Sequence, residues 1–396
     1  MKKINVLKPK FDVDNVLSEI KECLELGWTG MGFKTLEFEK AWKEYTNLSN
    51  AHFITSNTVG LHLALNIFKT QEGWNDGDQV ITTPLTFVSS NHAILYERLQ
   101  PVFADVDDTL CLDPQSVKDR ITSKTRAVMY VGMGGNAGNL KEIKDICKHN
   151  GLKLILDAAH MAGTYTKEMA PEPAGGGYAI CHTGWEADVS VFSFQAVKNL
   201  PTADSGMICF KEEKYDKLVR QLSWLGIDKD TYSRSDDKGS YKWKYDVPNV
   251  GFKYHGNSIM ASIGLVQLKY LDGDNDRRNE IADLYDKLLF EKGLNYRTSS
   301  IMKISTSWHT HKSSRHLYQI LLDERNRDDV IDHFYKNDVY PGVHYIDNTS
   351  YPMYNYAYGT CPNAHKYSKQ LITLPIHLNL TEDDVKKIVD TLGEIL

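Results

Sequence analysis

From residue 51 to residue 210 the chain alternates short apolar runs with helical stretches, and that alternation leaves few folds open. The runs are His52–Thr55, Gln79–Thr83, Pro101–Val106, Ala127–Val131, Lys153–Leu156, Val189–Phe192 and Met207–Phe210. Helical spacing fills most of the gaps, for example Val59–Phe68, Ser89–Tyr96 and Leu140–His149. A parallel neighbour needs a crossover, and a helix is the usual crossover, so the alternation implies a mainly parallel sheet covered on both faces. The expected fold is α/β, a large domain with a mainly parallel seven-stranded sheet between helices. Ahead of it, residues 14–26 have helical spacing, a glycine-rich turn follows at 27–32, and Thr35–Tyr45 places Leu36, Phe38, Ala41, Trp42 and Tyr45 near one helix face.

After residue 268 the pattern changes. A long helical segment, Asn275–Glu291, ends at Gly293, and the strands Ser314–Leu322 and Ile372–Pro375 alternate with helices at Asp328–Asn337 and Asp383–Ile395. This reads as a smaller C-terminal α+β domain, residues 269–396, packed on a large domain of residues 1–268. Two stretches break the rhythm. Lys167–Gly184 carries Pro171, Pro173 and glycines at 175–177 and reads as a loop; the polar Asp228–Lys244 reads as a mobile surface excursion rather than a substrate flap.

Composition excludes several function classes. With 396 residues, 41% of them hydrophobic, the chain is an ordinary soluble globular protein. A net charge of −6 and the lack of any Lys/Arg block argue against a nucleic-acid partner. The six cysteines are scattered with no C-x-x-C, which argues against a zinc site or a disulfide framework and fits a reducing cytoplasm. No apolar stretch approaches a signal peptide or a membrane span, and the fourteen histidines form no H-E-x-x-H, so neither membrane nor metal is expected. No strand runs into G-x-G-x-x-G; the glycine-rich 132–138 has the wrong spacing, which disfavours a dehydrogenase.

Chemistry enters with two residues. Asp157 ends the apolar run Leu154-Ile155-Leu156, and Lys198 lies just beyond Val189-Ser190-Val191-Phe192. A strand-end carboxylate followed by a loop lysine is what a pyridoxal phosphate (PLP) enzyme needs: the amine forms the Schiff base, and the carboxylate holds the pyridinium proton. A solvated surface lysine and a helix-capping aspartate have the same appearance. Ser56-Asn57-Thr58 opens a helix after the first strand, where free N–H groups, the positive helix end and the Thr58 hydroxyl suit a phosphate, though the same run is also a plain N-cap. Ser193 is a second hydroxyl for the same anion. Phe87 sits at a strand-to-helix turn where a flat ligand could stack, or it is core.

Seven motifs, taken in order, carry a resemblance. They are Phe38-Glu39, Ser56-x-Thr58-x-x-Leu61-His62-Leu63-Ala64-Leu65, Thr86-Phe87-Val88, Asp157-Ala158-Ala159-His160, Phe192-Ser193-Phe194 with Lys198-Asn199, Ala261-x-x-Gly264-Leu265-x-Gln267-Leu268, and Gly342-Val343-His344-Tyr345. Together they resemble the DegT/StrS-type sugar aminotransferase family within the fold type I PLP enzymes, over nearly the whole chain. The resemblance implies that Lys198 is the internal-aldimine lysine and Asp157 the partner of the pyridine nitrogen. It puts His160 near the cofactor's phenolic oxygen, Phe87 and Ala159 on opposite faces of the ring, and Thr58, the Val59 backbone and Ser193 around the phosphate. It further implies a homodimer with active sites between subunits, in which Lys253, standing where the family commonly has Asn, reaches the partner's phosphate.

The implied reaction is transamination, from glutamate or glutamine to a nucleotide-linked keto-sugar in surface-polysaccharide or amino-sugar biosynthesis. Alternatives are the same chemistry on a small phosphorylated ketose, a PLP-dependent dehydratase or lyase, and a non-catalytic PLP-binding sensor. Lys198 itself argues against the dehydratase branch, where His replaces it. Two departures stand out. Asn57 occupies the place of the usual Gly in the phosphate turn, and the glycine-rich 132–139 replaces a stretch that usually carries His and Tyr, with Gly134 in place of the aromatic residue. The second departure is expected to change or open the pocket.

Overall fold

The computed structural model describes residues 2–169, 178–228, 245–294, 301–303, 310–322 and 327–396. Its centre is a seven-stranded sheet in the order His52–Ile54, Gly206–Phe210, Val189–Ser193, Lys153–Asp157, Thr125–Val131, Gln79–Thr82, Gln100–Phe103. Gly206–Phe210 runs antiparallel to both neighbours, and the other pairings are parallel. The architecture is the expected α/β fold with a mainly parallel sheet.

The strands are apolar throughout because both faces are covered. Successive residues still divide between two cores. Leu154, Leu156 and Phe192 join Phe38, Trp42 and Phe194 on one side. Ile155, Val189 and Val191 join Leu61, Leu65 and Phe68 on the other. That alternation is the period of two that an extended chain imposes. The helix Asn57–Gln71 supplies much of the second core, and Ser56 caps its start by accepting the Val59 N–H at 3.3 Å.

A third core holds the C-terminal part together, built from Ile281, Tyr285, Tyr318, Phe334, Ile372 and Ile388 among others. The antiparallel strands Ile301–Lys303, Tyr318–Leu322 and Leu371–Leu374 form its sheet. Helices Leu271–Glu291, Arg327–Lys336 and Glu382–Gly393 accompany it. Ile4 belongs to this core, and Ile4–Asn5 pairs in parallel with Val339–Tyr340, so the start of the chain lies against its C-terminal third.

Two expectations need correction or limits. The Lys167–Gly184 stretch is not simply a loop, because Tyr165–Met169 and Tyr178–His182 pair antiparallel, with Thr310–Lys312 added on the other side of the first. The prolines and glycines that suggested a loop fall in 170–177, outside the described residues, while Tyr165-Thr166 and Ile180 are strand formers. Of the polar 228–244 excursion, residues 229–244 also lie outside the described residues.

Gly60 fixes how closely the Asn57–Gln71 helix lies on the sheet. A Cβ there would stand 2.4 Å from Val191 Cγ1 and 2.5 Å from Ile54 Cδ1. Overpacking of this kind costs about 1–3 kcal/mol, against about 1 kcal/mol gained in helix propensity. Gly60→Ala is therefore expected to lower stability in urea unfolding, by up to about 2 kcal/mol; a variant more stable than wild type would show that the helix can lift without cost.

Candidate active site

Ligands of parallel α/β sheets collect at the carboxyl ends of the strands. Here those ends bring together groups from several parts of the chain. Asp157 is the last residue of its strand. Lys198 sits in the turn after Val189–Ser193, a turn tied across its width by Phe194 N–H to Ser205 O, Thr202 N–H to Phe194 O and Ala196 N–H to Ala203 O, each at 2.8 Å. Phe194 anchors the base of that turn, wholly buried against Trp42 and Phe38.

Both groups open into one cavity of about 410 Å³. Thr58, Phe87, Ala159, His160 and Ser193 line it as well, so seven of the residues singled out in the sequence converge. Two do not. Val59 is absent from the lining, and its N–H is taken by the Ser56 cap, which withdraws it from an anion at the helix start. Lys253 also lies outside the lining and places its ammonium 3.2 Å from the centre of the Trp224 ring.

The electrostatics are set by burial. Asp157 is 4% exposed, and desolvation pushes its carboxyl above the usual carboxylate range. Three donors and a charge pull the other way. Ser90 Oγ donates to Oδ2 at 2.7 Å, Asn57 Nδ2 and the Ala159 N–H each donate to Oδ1 at 3.1 Å, and Lys198 supplies the opposing charge. Desolvation lowers Lys198 to about 8, only partly opposed by Asp157.

His160 is buried, and desolvation together with Lys198 and His344 holds its pKa well below the usual value, so the ring is neutral. The Gly134 N–H donates to its Nδ1 at 3.2 Å. The proton is therefore on Nε2, which donates to the Tyr345 hydroxyl at 3.2 Å and leaves the Tyr345 O–H free to donate elsewhere. His316 packs on His160 with ring centres 4.4 Å apart and is held through Nδ1 by Asn199 at 2.8 Å. Tyr345 in turn contacts Phe87, with ring centres 5.9 Å apart.

Sequence reasoning missed the donors on Asp157 and the parts of the wall contributed by His344 and Tyr345. The last two stood in a motif but carried no role there. The glycine-rich stretch behaves differently from expectation. Beyond Val131, no residue of it lines the cavity. At Gly134 a Cβ would stand 3.0 Å from Gln319 Oε1 and 3.5 Å from Leu317 Cβ, and at Gly135 it would stand 2.3 Å from Ser314 Oγ. Ser313 Oγ donates to Gly135 O at 2.9 Å. The C-terminal part of the chain thus fills the space, and the pocket is not opened.

The donor set suits PLP. A buried carboxylate that accepts from three donors can hold a ring-nitrogen proton. An aromatic wall at Phe87 and the small Ala159 leave room for a flat ring, and the hydroxyls of Ser56, Thr58 and Ser193 offer donors to a phosphate. Among the described residues no helix is long and apolar enough to cross a membrane, and no cluster of three or more metal-ligating side chains is present.

Comparison with known proteins points the same way. Residues 12–393 match the DegT/DnrJ/EryC1/StrS aminotransferase family. The spore coat polysaccharide biosynthesis protein SpsC of Bacillus subtilis is 32% identical over 393 residues, covering 96% of this chain and 94% of its own length. The aminotransferase TlmJ of Streptoalloteichus hindustanus superposes with a TM-score of 0.85 at 27% identity, covering 99% of this chain and 98% of that one. Spr1654 of Streptococcus pneumoniae in its PLP form superposes equally well, TM-score 0.85 at 26% identity, covering 100% and 98%.

The depressed Lys198 sets a pH test. With a pKa of about 8 rather than 10.5, the neutral, nucleophilic amine becomes the majority form above pH 8. Capture of PLP by cofactor-free protein should therefore speed up roughly tenfold between about pH 7 and 9 and then level off. A rate still climbing steeply towards pH 10 would mean that the amine is not desolvated.

Proposed function

The chain belongs to the DegT/DnrJ/EryC1/StrS aminotransferase family and is a PLP-dependent aminotransferase; from that premise we propose that it transfers an amino group from glutamate or glutamine to a keto-sugar carried on a nucleotide, in surface-polysaccharide or amino-sugar biosynthesis. The observation that carries the reading is the shared cavity of the Lys198 amine and the Asp157 carboxylate. Polysaccharide biosynthesis is the setting of SpsC, the relative at 32% identity.

When bound, PLP supplies an electron sink that makes the proton on a substrate carbon removable. The chain's residues do the rest. Asp157 holds a proton at the ring nitrogen. Phe87 and Ala159 confine the ring, while Thr58 and Ser193 hold the phosphate. Lys198, largely neutral just above pH 8, takes a proton from one carbon and delivers it to another as general base and acid. His160, fixed as the Nε2–H tautomer, aims the Tyr345 hydroxyl. The smaller phosphorylated ketose loses its main support, since the glycine-rich stretch does not line the cavity. A lysine at 198 speaks against a dehydratase, and the complete set of acid–base groups speaks against an idle sensor.

The protein is proposed to act as a cytoplasmic homodimer with its cavities at the subunit interface. Phe87 is 58% exposed although it lines the cavity, as expected of a wall that a second chain completes. Lys253 is the residue proposed to cross. Its hold on Trp224 is the starting position from which the ammonium reaches the partner's phosphate.

Three outcomes follow. Protein loaded with pyridoxamine phosphate, offered a panel of nucleotide-linked keto-sugars and small keto-phosphates, should aminate the former, as read by product mass; reaction with the keto-phosphates alone would replace the substrate class. Asp157→Asn should keep the cofactor and nearly abolish turnover, whereas wild-type turnover would reduce the carboxylate to a structural role. Lys253→Ala chains mixed with Lys198→Ala chains should regain partial activity, because one site in each mixed dimer is intact. No recovery in demonstrated mixed dimers would rule out action across the interface.

A further inference from the structure

Asp157 has about four lone-pair positions on its two oxygens. Three are occupied from within the chain: Ser90 Oγ on Oδ2, Asn57 Nδ2 and the Ala159 N–H on Oδ1. One position remains for a donor from the cavity.

Of the two side-chain donors, Asn57 has the less freedom. Its Nδ2 donates to Val191 O at 2.8 Å as well as to Asp157 Oδ1 at 3.1 Å, so each amide hydrogen has a defined acceptor. Rotating the amide would set its oxygen against a carbonyl and a carboxylate, two acceptors, and is excluded. Asn57 and Asp157 are 7% and 4% exposed, so the contact is buried. Ser90 is less constrained: its single proton can go to Asp157 or to Phe87 O at 3.3 Å. Val191 is the register partner of Asp157 in the neighbouring strand, so one amide bridges the two strands that carry the site's two reactive ends.

We propose that Asn57 is a positioning residue for Asp157: its amide holds the carboxylate in its ionised form and turns the one free lone pair towards the cofactor's ring nitrogen. The proposal rests on the reading of Asp157 as the ring-nitrogen partner. A neutral carboxyl would use its own proton as donor and would not need the amide, so removing Asn57 favours the uncharged pair of acid and ring nitrogen over the ionic one. The other groups facing Asp157 are the Lys198 amine, which favours the anion, and the Tyr345 phenol, whose ionisation the carboxylate opposes.

The test uses the full chain with selectively labelled aspartate carboxyls, followed by carbon NMR without cofactor and by the visible absorption of the bound cofactor with it. In Asn57→Ala the Asp157 carboxyl midpoint should rise by about 1–2 pH units, the size of a hydrogen bond to a charged group. The pH midpoint of the visible band should also move up, and kcat should fall roughly tenfold or more with little change in KM. Asn57→Gly removes the same amide and serves if the alanine variant does not fold. Carboxyl and visible midpoints both unchanged from wild type would overturn the proposal. Asp157→Asn, titrated in parallel, separates the two levels: an unaltered visible titration there removes the underlying reading and the proposal with it, whereas an altered one alongside an inert Asn57→Ala removes the proposal alone.

Discussion

Asp157 and Lys198 share one cavity, and desolvation pushes each towards its neutral form. For Lys198 that is useful, because a neutral amine is the nucleophile and the base. For Asp157 it is a problem, because only the anion can hold a ring-nitrogen proton. The donors around the carboxylate oppose this shift, while Lys198 has, among the described residues, none of the ion pairs that would trap it as an ammonium. The two groups thus have different partners within one cavity. The sheet makes this possible: Lys153–Asp157 and Val189–Ser193 are paired with Asp157 opposite Val191, so the two chain segments leave the sheet side by side.

Much of this was legible in the sequence. The apolar runs from 51 to 210 mark all seven strands of the central sheet to within a few residues, because buried parallel strands have no polar face to blur the pattern. Asp157 and Lys198 were legible as a strand-end acid and a loop amine, and family order then tied them to one site. Asn57 was visible only as a misfit in the phosphate turn. Its contact with Asp157 spans 100 residues and depends on strand register, which no local pattern encodes. Ser90, 67 residues from Asp157, was hidden for the same reason.

The errors share a physical origin. Gly134 was read as a lost side chain that would change or open the pocket, but a packed protein closes such gaps. Here Leu317 and Gln319 from the C-terminal part of the chain do so, and the Gly134 N–H gains a partner in His160. The Lys167–Gly184 stretch was judged by the prolines and glycines at its centre, although Tyr165–Met169 and Tyr178–His182 pair as strands. In each case composition was informative about the chain locally and silent about what would be brought against it. The same holds for Tyr345, which reaches His160 across 185 residues and packs its ring against Phe87.

The account stands on Lys198 being the amine to which the cofactor is bonded. The most direct measurement is borohydride reduction of the protein as purified, followed by proteolysis and mass mapping of the lysines. The account predicts one modified peptide, with the cofactor mass on Lys198 and the yellow colour lost. A cofactor mass on any other lysine, Lys253 included, would contradict it.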